Sequence, residues 1–205
     1  MNTLDSPFRS QKQRLDDREA KRQAVLRAAT QMFNERGFHA TSLEDVAASL
    51  DISKPTIYHY LGNKDQVLLE CVSFGLEQLQ EAAETARKQP GTGIDRLRSF
   101  LQRYAEINMD DFGRCVIRTG DETLSPDSRR RFRSLKRKID KAMRELIEEG
   151  IADGSIACTD AKLLAFTLAG ALNWPARWHE AGGKQSAKEV ARHMVDVLTQ
   201  GFAPR

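Results

Sequence analysis

Residues 41–64, TSLEDVAASLDISKPTIYHYLGNK, decide how this chain is read. Thr41 and Glu44 have the spacing of a capping box: a hydroxyl that accepts a backbone N–H, and a carboxylate three residues on that reciprocates. Leu43, Val46, Ala47 and Leu50 follow at i, i+3, i+4 and i+7, which puts one apolar stripe on a short helix. Asp51 is a short polar residue that tolerates the left-handed backbone of a sharp turn. Ser53 suits the N-cap of a second helix, with Pro55 tolerated in its first turn. That helix, residues 54–61, has two main core candidates, Ile57 and Leu61. Its other side carries Lys54, Thr56, Tyr58, His59 and Tyr60. A short helix with so many exposed donors and rings is built to touch something. Gly62 ends it, and Asn63 with Gln66 can cap a third helix.

Toward the N-terminus, residues 18–36 carry a helical pattern with Val25, Ala28, Ala29, Met32 and Phe33 on one face. Gly37 suits the position after its end. Residues 1–17 mix charge, Ser and Gln, which predicts a flexible arm. Two readings of that arm stand: a solvated tail, or an arm that adds phosphate contacts or enters a minor groove.

Toward the C-terminus, residues 64–89 predict one long helix with Val67, Leu68, Cys71, Val72, Leu76 and Leu79 facing inward. Pro90-Gly91 breaks it. A further amphipathic helix spans residues 93–109, and one or two short helical pieces are expected over 110–124. Ser125-Pro126 is a cap followed by proline at the first helical position, opening a helix to about Ile151. Thr159 or Asp160 starts the next, LLAFTLAGALNW. It is apolar nearly all round, which predicts burial. Ser186 and Glu189 make a capping box for the last helix. No strand-period segment appears, so the expected fold is all-α with eight to ten helices.

Composition sets the outer bounds. At 205 residues, 40% hydrophobic and 30% charged, the chain is long enough to bury a real core. No apolar run approaches the roughly 20 residues of a membrane helix. The first residues lack the apolar stretch of a secretory signal. Three widely spaced cysteines, Cys71, Cys115 and Cys158, make no disulfide framework, and a reducing cytoplasm is the natural compartment. Buried structural thiols are their default reading. Net charge of +3 is too small to argue for a nucleic-acid partner; its placement matters more. No nucleophile elbow, HExxH or phosphate loop is present. Asp121 and Glu122 are adjacent, so on a helix they point apart. No catalytic residue, metal ligand or cofactor is expected.

The paired helices read as a helix-turn-helix whose second helix enters the DNA major groove. Thr41, Val46-Ala47, Ile52-Ser53, Ile57-Tyr58-His59-Tyr60, Lys64-Asp65 and Leu68 together resemble the N-terminal signature of TetR/AcrR-type transcriptional regulators. The resemblance covers residues 18–76. It departs at Leu50-Asp51, where the family usually has Ala-Gly, and at Leu61, where it usually has Phe. On this reading Lys54 and Thr56, with His59, reach base edges. Thr41, Ser53, Tyr58, Tyr60 and Lys64 serve the phosphate backbone, Lys64 helped by the helix dipole.

Two further stretches stand out. The basic run over residues 129–141 reads either as a solvated face or as a second polyanion contact, such as coenzyme phosphates. The stretch GALNWPARW, residues 170–178, holds both tryptophans. It reads either as a core or dimer-interface pair, or as a ligand pocket of Asn173, Trp174, Arg177 and Trp178. It is similar to the C-terminal domain of TetR-type regulators that respond to acyl-CoA thioesters.

The resemblance implies a flexible arm (residues 1–17), a helix-turn-helix DNA-binding domain (18–78) and a ligand-binding and dimerisation domain (79–205). It implies a homodimeric, ligand-responsive regulator, a repressor by resemblance. Its expected partners are a palindromic double-stranded operator and a small-molecule effector, an acyl-CoA or another hydrophobic ligand. The alternatives are an enzyme, or a ligand-free DNA-binding module, on the same scaffold.

Overall fold

A computed structural model describes residues 11–200 of the chain. Ten α-helices run in order: α1 (Gln11–Arg36), α2 (Leu43–Ser49), α3 (Lys54–Leu61), α4 (Lys64–Arg87), α5 (Gly93–Met109), α6 (Asp111–Arg118), α7 (Pro126–Ala152), α8 (Ala161–Asn173), α9 (Pro175–Trp178) and α10 (Ala187–Gln200). A 3₁₀ turn, Asp121–Thr123, lies between α6 and α7. There is no strand among the described residues. None of the described helices is long and apolar enough to cross a membrane.

The first three helices and the start of α4 form a small unit. Val25, Leu26, Ala29 and Phe33 from α1, Leu43, Val46 and Ala47 from α2, Ile57 and Leu61 from α3, and Val67 and Leu68 from α4 are all buried. The turn between α2 and α3 passes through Asp51, whose φ of 52° is the left-handed conformation read from its residue type. The arm reading is corrected in part. Residues 11–17 belong to α1, and residues 1–10, with Asp5 and Arg9, lie outside the described residues.

The capping box moves by one residue. Ser42, not Thr41, caps α2: its hydroxyl accepts from Asp45 N at 3.0 Å, and Asp45 accepts from Ser42 N at 3.1 Å. Thr41 is buried instead, its hydroxyl donating to the Gly37 carbonyl at 2.9 Å and the Met32 carbonyl at 3.2 Å. Those carbonyls belong to the last turns of α1 and to the residue just past its end. The caps read at Asn63 with Gln66, at Ser125 and at Ser186 with Glu189 are present.

α4 belongs to both halves. Its first turns close the small unit, and Leu76, Leu79, Ala83 and Ala86 continue into the core of the larger one, against α5, α6 and α7. Gly75 lets α6 approach: a Cβ there would lie 2.9 Å from the Phe112 carbonyl oxygen. α6 also reaches the small unit directly, because Asn34 on α1 donates to the Asp111 carbonyl at 2.8 Å and Arg118 donates to the Asn34 carbonyl at 2.6 Å.

α8 corrects the expectation of burial. Ala165, Leu168 and Leu172 are buried, but Leu163 and Phe166 are 63% and 52% exposed. The helix ends at Asn173, and the short α9 begins at Pro175.

Candidate nucleic-acid interface and half-open cavity

α3 is anchored by Ile57 and Leu61, which are buried; Ser53, Lys54, Tyr58 and His59 are exposed. Thr56 and Tyr60 are half-buried. Ser53 heads the helix without a side-chain bond to its backbone, so the first-turn N–H groups gain no cap from it. Its hydroxyl instead meets that of Thr56 at 2.8 Å. Lys54 pairs with Glu44 on α2, and its ammonium lies 5.8 Å from the centre of the Tyr58 ring. The hydrogen bond from Lys54 holds the Glu44 carboxyl below its ordinary range and lifts the ammonium. Lys64 packs its ammonium 4.3 Å from the centre of the Phe38 ring, where burial lowers its pKa. The helix therefore offers one hydroxyl pair, one exposed cation and two exposed rings.

Of the eight residues read as DNA contacts, Ser53, Lys54, Thr56, Tyr58, His59 and Tyr60 lie at the head of α3 or along it, and Lys64 opens α4. Thr41 is the correction: its hydroxyl is turned inward and used, so it offers no side-chain contact to phosphate.

Residues of α4 to α8 line a half-open cavity of about 310 Å³. Its walls are mainly apolar, with Leu76 and Leu79 from α4, Val116 and Ile117 from α6, and Ile139 and Met143 from α7. Polar groups stand at two places. Asn173 accepts from the Tyr104 hydroxyl at 2.8 Å and from Asn108 at 2.9 Å. Burial drives the Tyr104 phenol up to about 12 against the pull of those amides, so it stays a neutral donor. Elsewhere, Thr119, Lys136 and Asp140 line the cavity, with Lys136 donating to Asp121 at 2.8 Å.

Of the four residues read as ligand contacts, only Asn173 lines this cavity. The pocket reading of Trp174, Arg177 and Trp178 is corrected: all three are exposed. Pro175 and Ala176 take the buried side of that turn, so the tryptophans face outward, with 61% and 47% of their surface exposed. Tyr104, Thr119 and Lys136 were not singled out from sequence as cavity residues. Tyr104 looked like ordinary core on an amphipathic helix, and Lys136 was one cation in a run of eight. Among the described residues, no group of three or more His, Cys, Asp or Glu is arranged to hold a metal ion.

Comparison with known proteins fits this geometry. Residues 25–71 match the family described as bacterial regulatory proteins, tetR family, and residues 90–202 match the tetracyclin repressor-like C-terminal domain. The chain belongs to the TetR family of DNA-binding transcriptional regulators. This TetR-family chain is 25% identical over 193 residues to the HTH-type transcriptional repressor KstR2 of Mycolicibacterium smegmatis, covering 89% of this chain and 91% of the relative. The TetR family regulator PfmR from Thermus thermophilus superposes with a TM-score of 0.79 at 29% identity, over 86% of this chain and 97% of that one. AibR, solved in complex with isovaleryl coenzyme A and operator DNA, has the same fold, with a TM-score of 0.76 at 22% identity over 86% and 97% of the two chains.

Proposed function

We propose that this TetR-family regulator is a ligand-responsive repressor acting in the cytoplasm as a homodimer. Each subunit sets α3 into the major groove of a palindromic operator. A small hydrophobic effector, an acyl-coenzyme A thioester, enters the cavity and releases the DNA.

One observation carries the reading: α4 follows α3 with only Gly62 and Asn63 between them and, three turns on, forms a wall of the cavity through Leu76 and Leu79. A ligand that fits one tilt of α4 better than another must shift the position of α3, and it can do so only by that difference in affinity. The acyl-coenzyme A reading draws support from AibR, whose fold this chain shares and which was solved with isovaleryl coenzyme A. The cavity volume is at the small end for ligand sites, so it takes an acyl group and leaves a nucleotide outside. Dimerisation is supported by the exposed apolar side chains Leu163, Phe166, Trp174, Trp178 and Val197 on the last three helices. A second copy packed on these helices would take those side chains out of water.

The test starts from a duplex selected out of random DNA by the protein. Tyr58→Ala is expected to weaken binding to it by about tenfold or more, since a charge-assisted hydrogen bond is lost in each subunit. Isovaleryl- or octanoyl-coenzyme A is expected to release the wild-type complex. DNA retained at saturating thioester contradicts the proposed effector class, and thioester turnover by the protein favours an enzyme.

A further inference from the structure

A short strap, residues 119–125, joins the cavity to the foot of α4. At its cavity end Thr119 lines the wall, and Asp121 accepts from Lys136 at 2.8 Å and from Arg133 at 2.5 Å. Lys136 is the cation that lines the cavity, and Arg133 and Arg137 flank it on α7. Just before its far end Leu124 is buried. At its far end Ser125 donates from its backbone N–H and its hydroxyl to Asp65, at 2.7 and 2.8 Å, and Ser128 adds a third hydrogen bond at 2.5 Å. Asp65 is the second residue of α4, directly after Lys64 and four residues beyond the end of α3. One covalent segment of seven residues thus carries a carboxylate that occupies the cavity's cation and a serine that grips the base of the DNA-reading unit.

The two ends differ in kind: Asp121 is held by two cations, Asp65 by two serines. The Asp121 pairs are part-exposed, with 43% of Lys136 and 54% of Arg133 in solvent, and exposed ion pairs contribute little. The Asp65 cluster is three hydrogen bonds on one carboxylate. An incoming anion can compete only at the cavity end, where cations are on offer.

We propose that the effector of this cavity is an amphiphile with an anionic group, and that this group takes the place of Asp121 on Lys136 and so frees the strap that leads into the Asp65-bound start of α7. The apolar tail lies against Leu76, Leu79, Ile139 and Met143, and the anion stays at the part-exposed mouth with Arg133 and Arg137. The anion is either a carboxylate or a coenzyme phosphate; both present the same chemistry to Lys136. Asp121 acts as a built-in competitor that keeps the strap closed when no ligand is bound. The proposal rests on the cavity being the effector site.

The test compares wild type with Asp121→Asn and Lys136→Gln. Calorimetric titration uses octanoate, octanoyl-coenzyme A and octan-1-ol. Removing the competitor is expected to tighten both anions about fivefold, and removing the cation to weaken them about fivefold, with the alcohol binding all three proteins alike. Preference for octanoate assigns the anion to a carboxylate; preference for the thioester assigns it to a coenzyme phosphate. Octan-1-ol binding wild type as well as both anions do, no effect of Asp121→Asn on anion affinity, or no binding by any probe overturns the proposal.

Amide hydrogen exchange on the ligand-free proteins needs neither probe nor DNA. Asp121→Asn is expected to speed exchange severalfold over residues 119–125 and 64–68 while leaving the core of α5 unchanged. Exchange unaltered over both segments overturns the strap's role. Wild-type protein that passes both tests yet binds no selected duplex counts against the regulator reading and leaves this inference standing.

Discussion

Lys54 faces a choice that sets DNA affinity. Free in solution it is paired with Glu44, and both side chains are about half exposed. To meet a base edge or a phosphate it must give up that carboxylate, which also brings a negative charge toward the polyanion. Glu44→Gln removes both penalties, so it is expected to bind the operator severalfold more tightly in a fluorescence titration, with little change in thermal stability. Neighbouring Thr41 shows where single-residue reading stops. Thr41 with Glu44 and Ser42 with Asp45 satisfy the same capping spacing. The tie is broken by the end of α1, where the Met32 and Gly37 carbonyls take the Thr41 hydroxyl. That contact is invisible until α1 and α2 are placed side by side. Lys54, Tyr58 and His59 were legible because an exposed helix face depends only on which positions its own core leaves free.

Elements were legible wherever a cap or breaker marks them. α5, from Gly93 to Met109, and the proline start of α7 come directly from local chemistry. What local pattern misses is the bond between elements far apart in sequence. Asp65 reads as part of a first helical turn, yet it holds the start of α7 through Ser125 and Ser128. Burial pushes this carboxyl up, but the three hydrogen bonds outweigh it and its pKa lies below the ordinary value. A group depressed on folding stabilises the fold above its unfolded pKa, and that contribution is lost as pH falls through its folded pKa. Asp65→Asn is therefore expected to be less stable than wild type near neutrality in urea unfolding. The difference should shrink as pH drops below about 4, the ordinary aspartate value. A difference constant over that range would place the stabilisation elsewhere.

Across the whole molecule, α8 shows what one chain's sequence leaves undecided. Its all-round apolar pattern fits burial, and half of that burial is missing within the subunit, at Leu163 and Phe166. Hydrophobicity records that a side chain avoids water, without recording whether its own chain or a second copy covers it. The same ambiguity misplaced Trp174 and Trp178 in a pocket. Replacing both Leu163 and Phe166 by Glu puts like charges at a self-contact, and sedimentation is expected to show monomers whose helicity is unchanged. Such monomers should lose most operator affinity, because two reading heads no longer act as one. A dimer surviving both charges would move the interface to another face.

The central claim is that two copies of α3 read one duplex together. Hydroxyl-radical footprinting of the selected operator measures this directly. Two protected patches are expected on one face of the DNA, related by two-fold symmetry and centred a whole number of helical turns apart, each turn about 10 base pairs. Both should fade together in Tyr58→Ala. A single patch, or protection that persists unchanged without Tyr58, would contradict the account.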